Sequence, residues 1–143
     1  MSALRRIGGG LLWVVAILGA LSGALFAADM AGWVQPLVVV SGSMEPGIRK
    51  GDLLIAMPVA AADVDVGEVA TLPSPRTGTL VTHRVTSVER AGGGDRVEMA
   101  GDANQVTDPE PYPVAPGDTV LQPVATLPGV GDVVLTLARP GVA

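Results

Sequence analysis

Val38-Val39-Val40-Ser41-Gly42-Ser43-Met44-Glu45-Pro46-Gly47 is the stretch from which the rest of the chain can be read. Three successive β-branched residues predict the end of a strand, because branching at Cβ suits a pleated, half-buried backbone. Gly42 follows, a residue free to take backbone angles that other residues resist. Pro46 pushes Glu45 out of the helical region. Ser43 therefore sits where a strand breaks into a turn, a place where a hydroxyl is held rigid yet open to a substrate. Turn chemistry alone accounts for a serine in such a position, so any chemical role has to come from the rest of the chain.

Working back from this stretch, Arg5 and Arg6 precede an uncharged 22-residue run from Ile7 to Ala28. As a helix such a run crosses a hydrocarbon layer of about 30 Å. A cleaved secretory signal has a shorter apolar region, about 7–15 residues, and ends in a small-x-small site. Leu25-Phe26-Ala27 and Phe26-Ala27-Ala28 instead place a bulky residue three positions before any cut. The expectation is a permanent anchor. The paired arginines mark its cytoplasmic end. That predicts a cytoplasmic segment 1–6, a transmembrane helix 7–28 and an extracytoplasmic domain 29–143, single-pass in the plasma membrane. Trp33 suits either the headgroup zone or a core.

Working forward, Arg49-Lys50-Gly51-Asp52 reads as a tight turn and Leu53-Leu54-Ile55-Ala56 as a short buried strand. Val64 to Leu72 carries a turn into another strand, and Pro73 to Gly78 is a loop. Thr79 to Val88 is the clearest strand: in period two, Val81, His83 and Val85 share one face and Thr82, Arg84 and Thr86 the other. Gly92-Gly93-Gly94-Asp95 predicts a hairpin turn with a return strand over Arg96 to Ala100. Gly101 to Pro109 is a polar loop. Pro116-Gly117-Asp118 turns into Thr119-Val120-Leu121, Gln122 to Val130 is interrupted by proline, and Val133 to Leu137 is a last apolar run too short to span a membrane. Short strands punctuated by turns predict an all-β fold: one N-terminal transmembrane helix, then a small, twisted, partly open β-barrel or two-sheet domain.

Composition narrows the function. The 143 residues allow one domain with a modest core. The net charge of -5 and the four aromatic residues argue against nucleic-acid binding, which needs a basic surface and often stacking rings. There is no cysteine, which excludes disulfides and thiolate metal sites, and no second histidine to complete a metal site around His83. Arginine outnumbers lysine eight to one, a compositional bias rather than chemistry.

A serine hydroxyl is a weak nucleophile and needs an adjacent base, itself oriented by a partner. His83 is the candidate base, since imidazole exchanges protons near neutral pH; a lone histidine on a strand can equally be structural. Lys50, the only lysine, falls in a polar turn where its ammonium stays solvated and protonated.

The string Ser41-Gly42-Ser43-Met44-Glu45-Pro46, followed by Gly51-Asp52, resembles the nucleophile segment of type I signal peptidases. Thr82-His83-Arg84-Val85 resembles the His box of the endoplasmic-reticulum and archaeal type, in which His replaces the Lys of bacterial housekeeping enzymes. Gly101-Asp102-x-Asn104 with Asp108 resembles the acidic box, with Ala103 departing from the family's Gly-Asp-Asn-Asn. The likeness covers roughly residues 10 to 131. It implies a membrane-bound serine endopeptidase acting on signal peptides of exported pre-proteins, without a cofactor. On that resemblance Ser43 is the nucleophile, His83 the base and Asp108 the triad acid. Ser41, with the backbone of Ser43, forms the oxyanion hole. Asp102 is the second functional carboxylate, or else a turn residue. Two rival readings place the same scaffold in a non-catalytic, membrane-anchored assembly subunit or in a self-cleaving repressor. The filled boxes and the N-terminal hydrophobic span speak against them.

Overall fold

The computed structural model describes residues 2–138. Met1, at the start of the expected cytoplasmic segment, and residues 139–143, at the end of the expected outer domain, lie outside the described residues. The chain forms two compact units, Met1–Val34 and Gln35–Ala143.

The first unit is a single helix, α1, Ser2–Met30. Its stretch Ile7–Met30 is the one helix among the described residues long and apolar enough to cross a membrane. The helix thus runs past both limits of the uncharged segment, because helical geometry is local and does not stop where charge begins. A Schellman motif closes it: Gly32 takes φ +72, Gly32 N–H donates to the Asp29 carbonyl at 2.9 Å and Trp33 N–H to the Ala28 carbonyl at 2.9 Å. Large apolar side chains along α1 stand exposed, among them Leu12, Trp13 and Phe26. Trp33 is 69% exposed, which removes the core alternative.

The second unit is built on one antiparallel seven-stranded sheet. Its strands are β1 Gln35–Val38, β2 Leu53–Ala60, β3 Val69–Pro73, β4 Leu80–Glu89, β5 Asp95–Ala100, β6 Tyr112–Val114 and β7 Thr119–Leu127, followed by a short helix, α2, Val130–Ala138. The spatial order is β1-β2-β7-β3-β4-β5-β6. Strands β3 to β6 form a meander, and β7 then returns from the far edge to lie between β2 and β3. Two register shifts, at Ile55/Ala56 and at Val85/Ser87, help the sheet to curl. Buried residues of the sheet, chiefly Leu72, Val85, Val97, Met99, Tyr112 and Val120, make one core together with Val64 from the segment between β2 and β3.

Several local expectations meet a different outcome. The ladder of β1 ends at Val38 rather than Val40, although Val39 still donates to the Asp52 carbonyl at 2.9 Å. Gly42 is not among the glycines with positive φ, so the freedom expected of it is not used there. The proline-interrupted segment after Gln122 continues as strand. Pro123 pairs with Ala56 beside the shift that leaves Val124 unpaired, and a bulge is where a central strand tolerates a residue without N–H. The last apolar run is helical. Tyr112–Val114 had no strand signal of its own; it is three residues long, contains Pro113 and occupies a sheet edge, where a proline is admissible.

Candidate active site

Three separate segments converge on one point. Ser43 lies in the turn after β1, His83 near the start of β4, and Asp108 in the loop between β5 and β6. The Ser43 hydroxyl lies 3.0 Å from His83 Nε2, and His83 Nδ1 lies 2.7 Å from Asp108 Oδ2. His83 is 8% exposed. Its face of β4 is the one expected from the period-two pattern: His83 and Val85 are buried and Val81 is half-buried. With Nδ1–H donating to the carboxylate, Nε2 carries the lone pair and accepts from the serine, the tautomer needed to take up its proton.

The turn bearing Ser43 is fixed from below and from behind. Met44 is buried; Glu45 N–H donates to the Gly42 carbonyl at 3.1 Å and Ile48 N–H to the Met44 carbonyl at 3.0 Å. The Glu45–Pro46 peptide is cis. Asp52, 5% exposed, accepts from Arg49 N–H at 2.9 Å and from Gly129 N–H at 3.0 Å, so its carboxylate ties the end of the turn to the start of α2. The acidic loop braces the turn directly. Ala103 N–H donates to the Ser43 carbonyl at 2.9 Å, and a Cβ on Gly101 would stand 2.5 Å from that same oxygen. Only glycine lets the loop approach this closely.

Ser41 has its hydroxyl 3.3 Å from that of Ser43, on the open side of the turn. Asp102 is not brought to the imidazole. It forms a two-pronged ion pair with Arg84, Nε to Oδ1 at 2.8 Å and Nη2 to Oδ2 at 2.7 Å, while Arg84 Nη1 reaches the Gly67 carbonyl at 2.7 Å. The guanidinium holds the Asp102 carboxyl below the usual carboxylate range against the opposing effect of burial. Lys50 is exposed in its turn, and Asn104 closes the loop through its N–H to the Gly101 carbonyl at 2.9 Å.

Tyr112 was not singled out from the sequence. It is 4% exposed, and its hydroxyl donates to Asp108 Oδ2 at 2.7 Å, the oxygen that also faces His83. Burial, and then the bond to Asp108, push its phenol above the ordinary range, so it stays a donor. Its spacing, four residues after Asp108 with an intervening Pro-Glu-Pro, offered the only sequence signal.

Beside Ser43 opens a cleft of about 190 Å³. One side is formed by Leu37 to Ser41 and another by Leu80 to Thr82, with Met44, Ile48 and Leu54 also lining it. Among the described residues no cluster of three or more acidic or imidazole groups is placed to hold a metal ion.

An apolar N-terminal helix, a curled antiparallel sheet and a Ser–His–Asp hydrogen-bonded series at the rim of a cleft define a signal-peptidase-like protein. No family model matches the chain. It is 36% identical over 115 residues to the signal peptidase complex catalytic subunit sec11 of Pyrenophora tritici-repentis, covering 73% of this chain and 65% of that protein. It is 33% identical over 112 residues to the corresponding subunit of Colletotrichum graminicola, with the same shares covered. Against the SEC11C subunit of Canis lupus familiaris the identity is 35% over 81 residues, 55% of this chain and 42% of that one. The chain belongs to the signal peptidase family, on the side of the SEC11-type catalytic subunits, and matches about 65% of the length of the fungal relatives.

Proposed function

We propose that the protein is a membrane-bound serine endopeptidase that removes N-terminal signal peptides from exported pre-proteins. The observation that carries this reading is the series Ser43 Oγ, His83 Nε2, His83 Nδ1, Asp108 Oδ2 at 3.0 and 2.7 Å, in a chain homologous to catalytic subunits of signal peptidase complexes. Ser43 attacks the scissile carbonyl while His83 takes its proton. The same imidazolium then delivers the proton to the leaving amine, and water repeats the sequence to release the acyl group. Asp108 holds the tautomer and offsets the imidazolium charge. The Ser43 N–H and the Ser41 hydroxyl receive the oxyanion; one such donor is typically worth about 3 kcal/mol of barrier. Asp102 acts at one remove, through the loop that it ties to Arg84.

The cleft suits an extended peptide. The outer edge of β1, an edge strand of the sheet, offers main-chain pairing, and the confined cleft, lined largely by aliphatic residues, favours short side chains. The helix over Ile7–Met30 serves as a membrane anchor. Its N-terminal side lies in the cytoplasm, with the domain from about Asp29 onward on the outer face of the plasma membrane. The names of the relatives suggest that partner subunits take part.

The test is to incubate the detergent-solubilised chain with a pre-protein and to sequence the new N-terminus. Cleavage after Ala, Gly or Ser, with a similarly small residue three positions before the cut, is expected, and Phe at either position should stop it. A chain that leaves every pre-protein intact, or that cuts equally well after Phe, is not this enzyme.

A further inference from the structure

We infer that Tyr112 is a positioning residue of the Ser43–His83–Asp108 unit: its phenol shares Asp108 Oδ2 with the imidazole and thereby sets how strongly His83 holds a proton. The inference rests on the reading of that unit as the active site, but its physical content stands apart from turnover.

The geometry is specific. One carboxylate oxygen accepts two short bonds, from Tyr112 Oη at 2.7 Å and from His83 Nδ1 at 2.7 Å. The tyrosine is in β6, paired with Val97 of β5, and its ring belongs to the main core with Val85 and Met99. Asp108, in contrast, sits in an irregular loop, tied at its backbone by the N–H bond to the Met99 carbonyl at 2.8 Å. An irregular loop leaves a carboxylate free to turn about its own side-chain torsions. A phenol anchored in a packed core removes that freedom, because an aromatic side chain has only two torsions and both are set by packing. The bond also withdraws charge from the oxygen that faces the imidazole. The carboxylate oxygen that orients His83 is therefore shared between two donors.

The other charged groups near the imidazole are already paired. Asp102 is bound by Arg84 at 2.7 Å, and Arg76 and Glu110, which line the cleft on the Asp108 side of His83, stand 3.8 Å apart. The remaining faces present Ser43 and, across β3, Ala70. Tyr112 is thus the group whose removal changes the field at Asp108 without altering any formal charge.

The chain has a single histidine and a single tyrosine, which makes the experiment clean. The full chain in detergent is titrated by NMR, following the one imidazole. Tyr112→Phe keeps the ring and loses the donor, and the His83 midpoint should rise by about half a pH unit or more. Replacing the tyrosine with 3-fluorotyrosine, a stronger donor, should move it downward. That arm keeps the native side-chain shape and stands if Tyr112→Phe does not fold. In cleavage assays Tyr112→Phe should lose about tenfold in kcat with KM little changed, as expected when a catalytic group is less well oriented. Opposite shifts in the two substituted chains support the inference even if the wild type cuts no pre-protein, in which case only the functional reading falls. A wild type that cuts, with a His83 midpoint that stays put or moves the same way in both, overturns the inference and leaves the enzyme.

Discussion

In the proposed mechanism Ser43, His83 and Asp108 act on one proton, so their removal should not be additive. Ser43→Ala and His83→Ala are each expected to lower kcat by about 10⁴-fold or more, and the double variant should be hardly worse. Lys50→Ala should keep most activity, since its ammonium is exposed in a turn and outside the site. Signal-peptide cleavage by the three variants checks this; an active His83→Ala or a folded but dead Lys50→Ala reverses the assignment of the base. Asp108→Asn should cost roughly 10³ to 10⁴-fold with the fold intact, because the amide favours the wrong imidazole tautomer. Asp102 should behave otherwise. Its carboxyl is held low by Arg84, so the stability it supplies is present above the unfolded carboxyl value of about 3.9 and is lost as pH falls through the lower folded value. Both partners are partly solvated, at 25% for Asp102 and 43% for Arg84, so the contribution should not exceed about 1 kcal/mol. Urea unfolding of Asp102→Asn against wild type should show a gap at pH 7 that closes in strong acid.

The loop between β5 and β6 does two things at once, carrying Asp108 and bracing the Ser43 turn. Gly101 is its tightest point, with the Ser43 carbonyl 2.5 Å from where a Cβ would stand. Gly101→Ala forces the loop and the nucleophile turn apart. It should cost about 1–3 kcal/mol of stability and, more tellingly, should depress kcat well beyond what partial unfolding explains, because a displacement near 1 Å at the serine is felt about 100-fold. Denaturant melts and cleavage rates on the same preparation separate the two effects. An alanine enzyme with native turnover shows that the contact is not limiting. Asp52 is the matching brace on the other side, holding the turn to the residue just before α2 through Gly129 N–H at 3.0 Å.

For the protein as a unit of the membrane, the expectation concerns sidedness. Arg5 and Arg6 before the apolar helix predict an N-terminus on the cytoplasmic side. Protease added to right-side-out vesicles should then digest the domain beyond Asp29 and spare the anchor. Full protection of that domain contradicts the orientation. The sheet itself needs no staple. One core gathered from β3, β4, β5, β6 and β7 replaces the disulfides that a chain without cysteine lacks.

What local chemistry fixes was legible before any coordinate. The length and lack of charge of the run from Ile7 to Ala28 predicted a helix long enough to cross a membrane, and α1 is a helix over that run. The alternation around His83 set which face of β4 it occupies, and the turn residues after Val40 isolated Ser43. The Ser, His and Asp boxes pointed to a family that the relatives bear out, and to candidate residues that the fold then brings together. Other features were beyond local reading because they depend on partners distant in the chain. Pro123 became part of a central strand only because a bulge opposite Ile55 and Ala56 absorbed it. Tyr112–Val114 became a strand only because β5 left an edge to pair with. Asp102 and Asp108 are alike in type and share one loop, yet the sheet gave the first to Arg84 and the second to His83. The role of Tyr112 followed in the same way: its hydroxyl reaches Asp108 because its ring is buried in a core assembled from five strands, and no sequence window contains that core.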